Sequence, residues 1–212
     1  MYRPVLVTPP EVTPVSLAEA KVHCRADDFD DDNDTLEALV SAATAHFDGW
    51  TGTLGRVLCE QEWRQDFDSF ARCMRLPLFP VVSVTSVTYR TDSGQLGTVG
   101  STNYALQTDD LGSYVRFKDA YSFPSSLYQT AAISITFVAG YPDTPEVEAA
   151  PEADPPVEAA ARASNVPAPI KQAILLLVGH WYDHREAVSS DTKAPVPFAV
   201  DALVAPFRRS RF

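Results

Sequence analysis

Two histidines four residues apart, His180 and His184 in VGHWYDHRE, have the spacing in this chain that comes nearest to a metal site. On a helix, positions i and i+4 share a face, and zinc-binding helices present their ligands in that way. The metalloprotease form also needs a glutamate directly after the first histidine as general base, and Trp181 stands there, followed by Tyr182 and Asp183. Asp183 or Glu186 could add a third ligand, but no second histidine cluster occurs, so the pair reads as part of a polar helix face. The acidic loop Asp27, Asp28, Asp30, Asp31, Asp32, Asn33, Asp34 raises the same question for calcium. An EF-hand loop begun at Asp28 would put Asn33 where glycine makes the sharp turn and Leu39 where a bidentate glutamate closes the cage. These carboxylates read instead as solvated charge favouring the positive N-terminal end of the following helix.

Nucleophile chemistry finds no support either. Cys24 beside His23 is not a working pair, because neighbours on a helix point about 100° apart. Cys24, Cys59 and Cys73 are odd in number and widely spaced, which suits neither a disulfide framework nor a C-x-x-C metal site. No GxGxxG or Walker pattern cradles a phosphate. Tyr104, Tyr114, Phe117 and Tyr121 could stack bases, but a formal net charge of −11 argues against phosphate neutralisation and favours packing for these rings. We therefore expect no catalytic residue, metal or cofactor. The longest apolar run falls well short of the roughly 20 residues that cross a bilayer, and MYRPVLVTPP lacks the apolar core of a signal peptide, so we expect an intracellular chain with no membrane partner.

The elements that would position any site follow from periodicity. VPAPIKQAILLLVGHWYDHRE, Val166 to Glu186, opens on Pro167 and Pro169 and places Ile170, Ala173, Ile174, Leu177, Val178 and Trp181 along one helical stripe. A helix this apolar needs a partner, since packing rather than propensity stabilises helices in proteins. Leu36, Leu39, Val40, Ala43, Phe47 and Trp50 supply it, at helical spacing from Asp34 to about Thr51. A shorter helix starts at the Ser16/Glu19 capping box and runs to about Arg25. Between these helices lie Val57 to Phe67, Val81 to Arg90, Tyr114 to Lys118 and Ala132 to Ala139, short segments rich in β-branched and aromatic residues that read as antiparallel strands. Asp92-Ser93-Gly94 has the composition of a hairpin loop.

The expected fold is thus α+β: a small helical core from two N-terminal helices and a long C-terminal helix, with an inserted antiparallel β unit. Residues 1–56 and 166–212 form the helical core, with an extended proline-rich arm at one end and a tail at the other. Residues 57–141 form the β-rich unit, and 142–165, rich in Pro, Ala and Glu, a flexible acidic linker. The tail carries Phe198, Val200, Leu203, Val204, Phe207 and Phe212 among Arg208, Arg209 and Arg211. So many apolar residues imply docking, on the chain's own core or on a partner. An interaction protein fits arm, linker and tail best; a small metal-dependent hydrolase using His180 and His184, or a monomeric regulatory binding module, are the alternatives.

Six blocks then occur in a telling order: VSLAEAK (Val15 to Lys21), the acidic loop, a helix ending at Thr51-Gly52, PLFPVVSVTSVTY (Pro77 to Tyr89), FVAGYP (Phe137 to Pro142), and the Val166 to Glu186 stretch. Together they resemble the head-tail connector, or adaptor, proteins of long-tailed bacteriophages and gene transfer agents, over nearly the whole chain. The resemblance implies a homo-oligomeric ring, typically of twelve copies, beneath the capsid portal protein in the neck of a virion or phage-like particle assembled in the bacterial cytoplasm. Such a ring extends the DNA channel, lets DNA pass without specific binding, and meets the next neck protein, a stopper or tail terminator. An acidic wall suits a channel along which DNA slides. The resemblance further implies that the tail docks on the portal, with Arg208, Arg209 and Arg211 against acidic surface and Phe198, Leu203 and Phe207 in apolar pockets. The long linker departs from the compact family pattern.

Overall fold

The computed structural model describes residues 2–28, 30–144, 163–184 and 197–208. Among them are four α-helices and two antiparallel sheets, an α+β chain as expected. They group into two compact units, one of residues 2–11 and 60–141, the other of 12–59 with 142–144, 163–184 and 197–208. Most of the expected acidic linker, and Arg209, Arg211 and Phe212, lie outside the described residues.

The β unit contains β1 (Val5–Thr8), β2 (Gln61–Phe67), β3 (Cys73–Arg75), β4 (Val81–Arg90), β5 (Leu96–Thr98), β6 (Tyr104–Asp109), β7 (Gly112–Phe117) and β8 (Ile133–Ala139). Five strands join in the order β1-β2-β8-β4-β5 and three in the order β3-β7-β6. β8 sits at the centre of the larger sheet, and its alternating Ile133, Ile135, Phe137 and Ala139 are all 0% exposed. Strand periodicity therefore sets the inward face. Trp63 and Gln65 of β2 pair with Phe137 and Ile135, extending that face. In β4 the alternation fails to hold along the strand, because register shifts at Val81/Ser83 and Val84/Ser86 exchange the faces. Val87 is buried while Val82 remains exposed. The turn after Arg90 closes with Gly94 at φ 84, a backbone that glycine adopts without strain.

The N-terminal segment, expected as a free arm, is a strand. Val5 pairs with Arg64 and Leu6 with Trp63, making β1 an edge of the larger sheet. Prolines on either side, Pro4 and Pro9, had pointed to extended backbone; edge strands tolerate proline for that reason. Tyr2 fastens the entry, its hydroxyl donating to Asp68 at 2.6 Å.

In the helical unit, α1 (Leu17–Cys24) opens on the expected capping box, with Glu19 N donating to Ser16 Oγ at 3.2 Å and Ser16 N to Glu19 Oε2 at 2.7 Å. It ends at Arg25, left-handed at φ 55. α2 (Asn33–Phe47) stops earlier than its apolar spacing suggests. Asp48 turns extended and its carboxylate accepts the amide of Leu58 at 2.6 Å, while Gly49 at φ 71 takes the chain away. Trp50 consequently lies beyond the helix and is half-buried, so it is not a helix-packing residue as its spacing implied. α3 (Ala168–Asp183) carries Pro169 in its first turn, where the missing N–H costs no helical bond.

α2 packs on α3, and α1 packs on both. Leu36, Val40, Ala43 and Phe47 are buried on one helix, and Ile170, Ala173, Ile174 and Val178 on the other. Leu39, Leu177 and Trp181 are half-buried at the margins of that seam. α4 (Pro197–Val204) also packs on α3 and runs into a short 3-10 turn, Ala205–Phe207.

Candidate functional site

The residues singled out for metal chemistry are engaged with their own surroundings. His180 and His184 have ring centroids 4.6 Å apart, and His184 Nδ1 lies 3.0 Å from the His180 carbonyl oxygen. The neighbouring Tyr182 hydroxyl donates to Asp32 Oδ2 at 2.5 Å. In the acidic loop, Asp30 accepts from Lys21 Nζ at 2.7 Å and from Asn33 Nδ2 at 3.1 Å. Those two hydrogen bonds, Lys21 first, hold the Asp30 carboxyl below its ordinary pKa. Among the described residues no group of three or more His, Cys, Asp or Glu side chains is placed to hold a metal ion. The loop binds inward to α1 and α3, work that its composition alone does not reveal.

The cysteines differ by environment. Cys59 is 2% exposed, and burial pushes its thiol up to about 12. Cys24 is half-buried and raised by desolvation and then by Asp183, whereas Cys73 is exposed. A thiol held protonated is a poor nucleophile.

In the β unit the aromatic residues pack on one another. Phe117 is 0% exposed, with Phe70, Phe123, Tyr121 and Tyr104 at centroid distances of 5.5, 5.4, 6.0 and 6.0 Å. Arg72 covers Phe123 at 4.6 Å and donates to the carbonyls of Lys118 and Tyr121 at 2.7 and 2.9 Å. Phe117 and its neighbours form an aromatic core, tied down by one arginine. Arg75 grips Asp109 bidentately at 2.8 and 2.6 Å, and this contact, ahead of local backbone amides, holds the Asp109 carboxyl down at about 2.

The tail divides. Val200 and Val204 are 4% and 0% exposed, buried in the chain's own unit and unavailable to a partner. Their spacing on α4 gives it one apolar face, and α3 supplies the surface that receives it. Arg56, far away in sequence, donates from Nε to the Phe207 carbonyl at 2.5 Å, which fixes the end of the tail's 3-10 turn. Arg208 pairs with Asp201 at 2.5 Å, each about half exposed. Leu203 and Phe207 are half-buried, and Phe198 stands 84% exposed. Sequence reasoning left open whether the tail meets its own core or a partner; the apolar spacing of Val200 and Val204 was the signal for the former.

One further surface escaped the sequence. Ala18, Glu19, Val22, His23 and Leu175 line a predominantly apolar groove of ≈ 420 Å³ between α1 and α3. Val22 is 67% exposed there. Gly179 of α3 stands close to His23: a Cβ at Gly179 would lie 3.1 Å from His23 Nε2. No helix among the described residues is long and apolar enough to cross a membrane.

No protein-family model matches the chain, and no curated protein matches it by sequence. Solved structures do. A chain in the neck of an empty gene transfer agent particle, computed with C6 symmetry, superposes with a TM-score of 0.72 at 22% identity, covering 100% of this chain and 97% of that one. A chain in the virion of a native gene transfer agent particle gives 0.71 at 21% identity, with 100% and 97% covered. A chain in the neck of the native particle, computed with C12 symmetry, gives 0.65 at 22%, with 98% and 97% covered. The likeness runs the whole length of both chains, so the two sheets and four helices described above make up a fold shared with chains of gene transfer agent particles.

Proposed function

We propose that this chain is a head-tail connector, or adaptor, subunit: a structural protein that assembles into a ring beneath the capsid portal, extends the DNA channel and joins head to tail. The observation that carries the reading is the end-to-end likeness to neck chains of gene transfer agent particles, covering 100% of this chain, together with six sequence blocks in family order. Two of the similar structures obey C6 and C12 symmetry, which a twelve-copy ring would satisfy. The partners on this reading are other copies of the chain, the portal protein, and a stopper or tail terminator. DNA crosses the ring without specific binding, consistent with a chain that carries −11 net charge. Its role is mechanical rather than enzymatic.

The portal-docking role moves toward the very end of the tail. With Val200 and Val204 buried on α4, the docking residues are Arg209, Arg211 and Phe212, helped by the exposed edge of Arg208, Leu203 and Phe207. Deletion of the gene should leave DNA-filled heads that lack tails, visible by electron microscopy, with complementation restoring them. Tailed particles in the deletion strain, or a chain absent from purified necks by mass spectrometry, would refute the connector reading. For the tail, removing residues 209–212 is the clean cut. A longer truncation after Ala194 would also strip α4 from α3 and uncover its apolar face.

A further inference from the structure

Phe198 is the most exposed large apolar side chain among the described residues, at 84%, on a helix whose other face is well fixed. Val200 and Val204 bury α4, the Asp201–Arg208 pair spans its end, and Arg56 holds the following turn. The ring is therefore presented on an anchored element instead of trailing from a loose end. The same unit carries the apolar groove of Ala18, Val22, His23 and Leu175, and an 84% exposed Phe198 does not occupy that groove in its own chain. A cavity of about 150 Å³ already accommodates a benzene ring; the groove, at ≈ 420 Å³, has ample room for one.

A cyclic ring requires two different, complementary surfaces on each subunit, because a surface that pairs with itself closes a dimer. We propose that Phe198 of one copy inserts into the α1–α3 groove of the adjacent copy, against Val22 and Leu175, as a recurring anchor of the ring. This rests on the connector reading above and adds to it the subunit-to-subunit contact. The occupant is a second copy, not the portal, because knob and groove belong to one chain and similar structures obey cyclic symmetry. A single aromatic anchor is far smaller than the roughly 1,200 Å² of a stable interface. The contact consequently acts as a hot spot that holds once a template gathers the copies.

The test is chemical cross-linking in particles assembled from the genome that encodes the chain, carrying Cys24→Ser and Cys73→Ser so that buried Cys59 alone remains. Phe198→Cys and Val22→Cys are added, and a short bismaleimide is applied. A ladder of dimers and higher multiples of this chain, absent from each single-cysteine control, is the expected result. Intramolecular products, cross-links to the portal protein, or no product in particles that retain the chain in their necks would overturn the contact while sparing the connector reading. Parent chain missing from the necks overturns both. In parallel, Phe198→Asp should lower neck occupancy at least tenfold and Phe198→Leu much less, with thermal stability of the isolated chain unchanged because the site is exposed. Full occupancy of the Asp variant also overturns the proposal.

Discussion

The hydroxyl of Tyr182 donates a 2.5 Å hydrogen bond to the carboxylate of Asp32, a residue 150 positions earlier. Asp32 is the N-cap of α2 and Tyr182 lies in the last turn of α3, so one bond joins the start of one core helix to the end of the other. The acidic loop, which by composition invites a cation, is in this way part of the helical framework.

Removing that hydroxyl should loosen the framework without disturbing the packing of the ring. Hydrogen bonds to charged groups contribute about 1.5–3 kcal/mol when well formed, and partial exposure here brings the expectation to about 1 kcal/mol. Tyr182→Phe should lower the chemical-denaturation midpoint accordingly, with an unchanged m-value. A midpoint equal to the parent's would show that water replaces the contact at no cost.

The α2–α3 seam ranks its own residues. Ile174→Ala removes a side chain that is 0% exposed and should destabilise the chain by about 2–5 kcal/mol, whereas Leu177→Ala, at the half-buried margin, should cost well under half as much. Equilibrium unfolding of both variants measures the difference; equal losses would place Leu177 in the core after all.

Gly179 and His23 should be energetically coupled. In a helix interior, glycine to alanine gains about 1 kcal/mol. Here the new Cβ would lie 3.1 Å from the imidazole. Gly179→Ala should therefore stabilise a His23→Ala background by about that amount and gain little or nothing in the parent. A double-mutant cycle with no coupling would rule out the close approach.

Asp109 titrates at about 2 because Arg75 favours its charged form. A carboxyl depressed in the folded state contributes stability above its unfolded pKa, near 3.9, and loses it as pH falls toward the folded value. The advantage of the parent over Asp109→Asn should be full at neutral pH and fade from about pH 4 down to pH 2. Thermal melts across that range test the slope; a difference that persists at pH 2 contradicts it.

Thiol reactivity should follow burial. At pH 8, Cys73 should react with a maleimide or disulfide reagent in the folded protein, while Cys59, 2% exposed and pushed up to about 12, should wait for denaturant. Early labelling of Cys59, read by peptide mass spectrometry, would show that its region opens readily.

Elements with a strong local period were legible in the chain itself. The Ser16/Glu19 box, the Leu36 to Phe47 stripe, the Ile170 to Val178 stripe and the Ile133-Ile135-Phe137 alternation each appear as helix or strand with the expected side inward. Where the period is short or interrupted, sequence falls silent. β3 and β5, three residues each, show too little pattern to stand out, and β1 looks like a proline-rich arm until β2 offers it hydrogen-bond partners. Trp50 keeps the helical spacing yet leaves the helix, because the Asp48 carboxylate captures the Leu58 amide ten residues on.

By itself, then, the sequence determined the two helical stripes, the central strand and the absence of any recognisable catalytic pattern, since all of these depend on the spacing of neighbours along one chain. Tertiary structure decided which groups meet across long separations: Tyr182 with Asp32, Arg56 with the Phe207 carbonyl, Val200 and Val204 with the chain's own core, and the groove of Ala18, Val22 and Leu175 that α1 and α3 make together. The physical reason is that such contacts depend on the path of the chain between them. The same apolar tail residue can be buried at home or offered to a partner, and only packing separates Val204, at 0% exposure, from Phe198, at 84%.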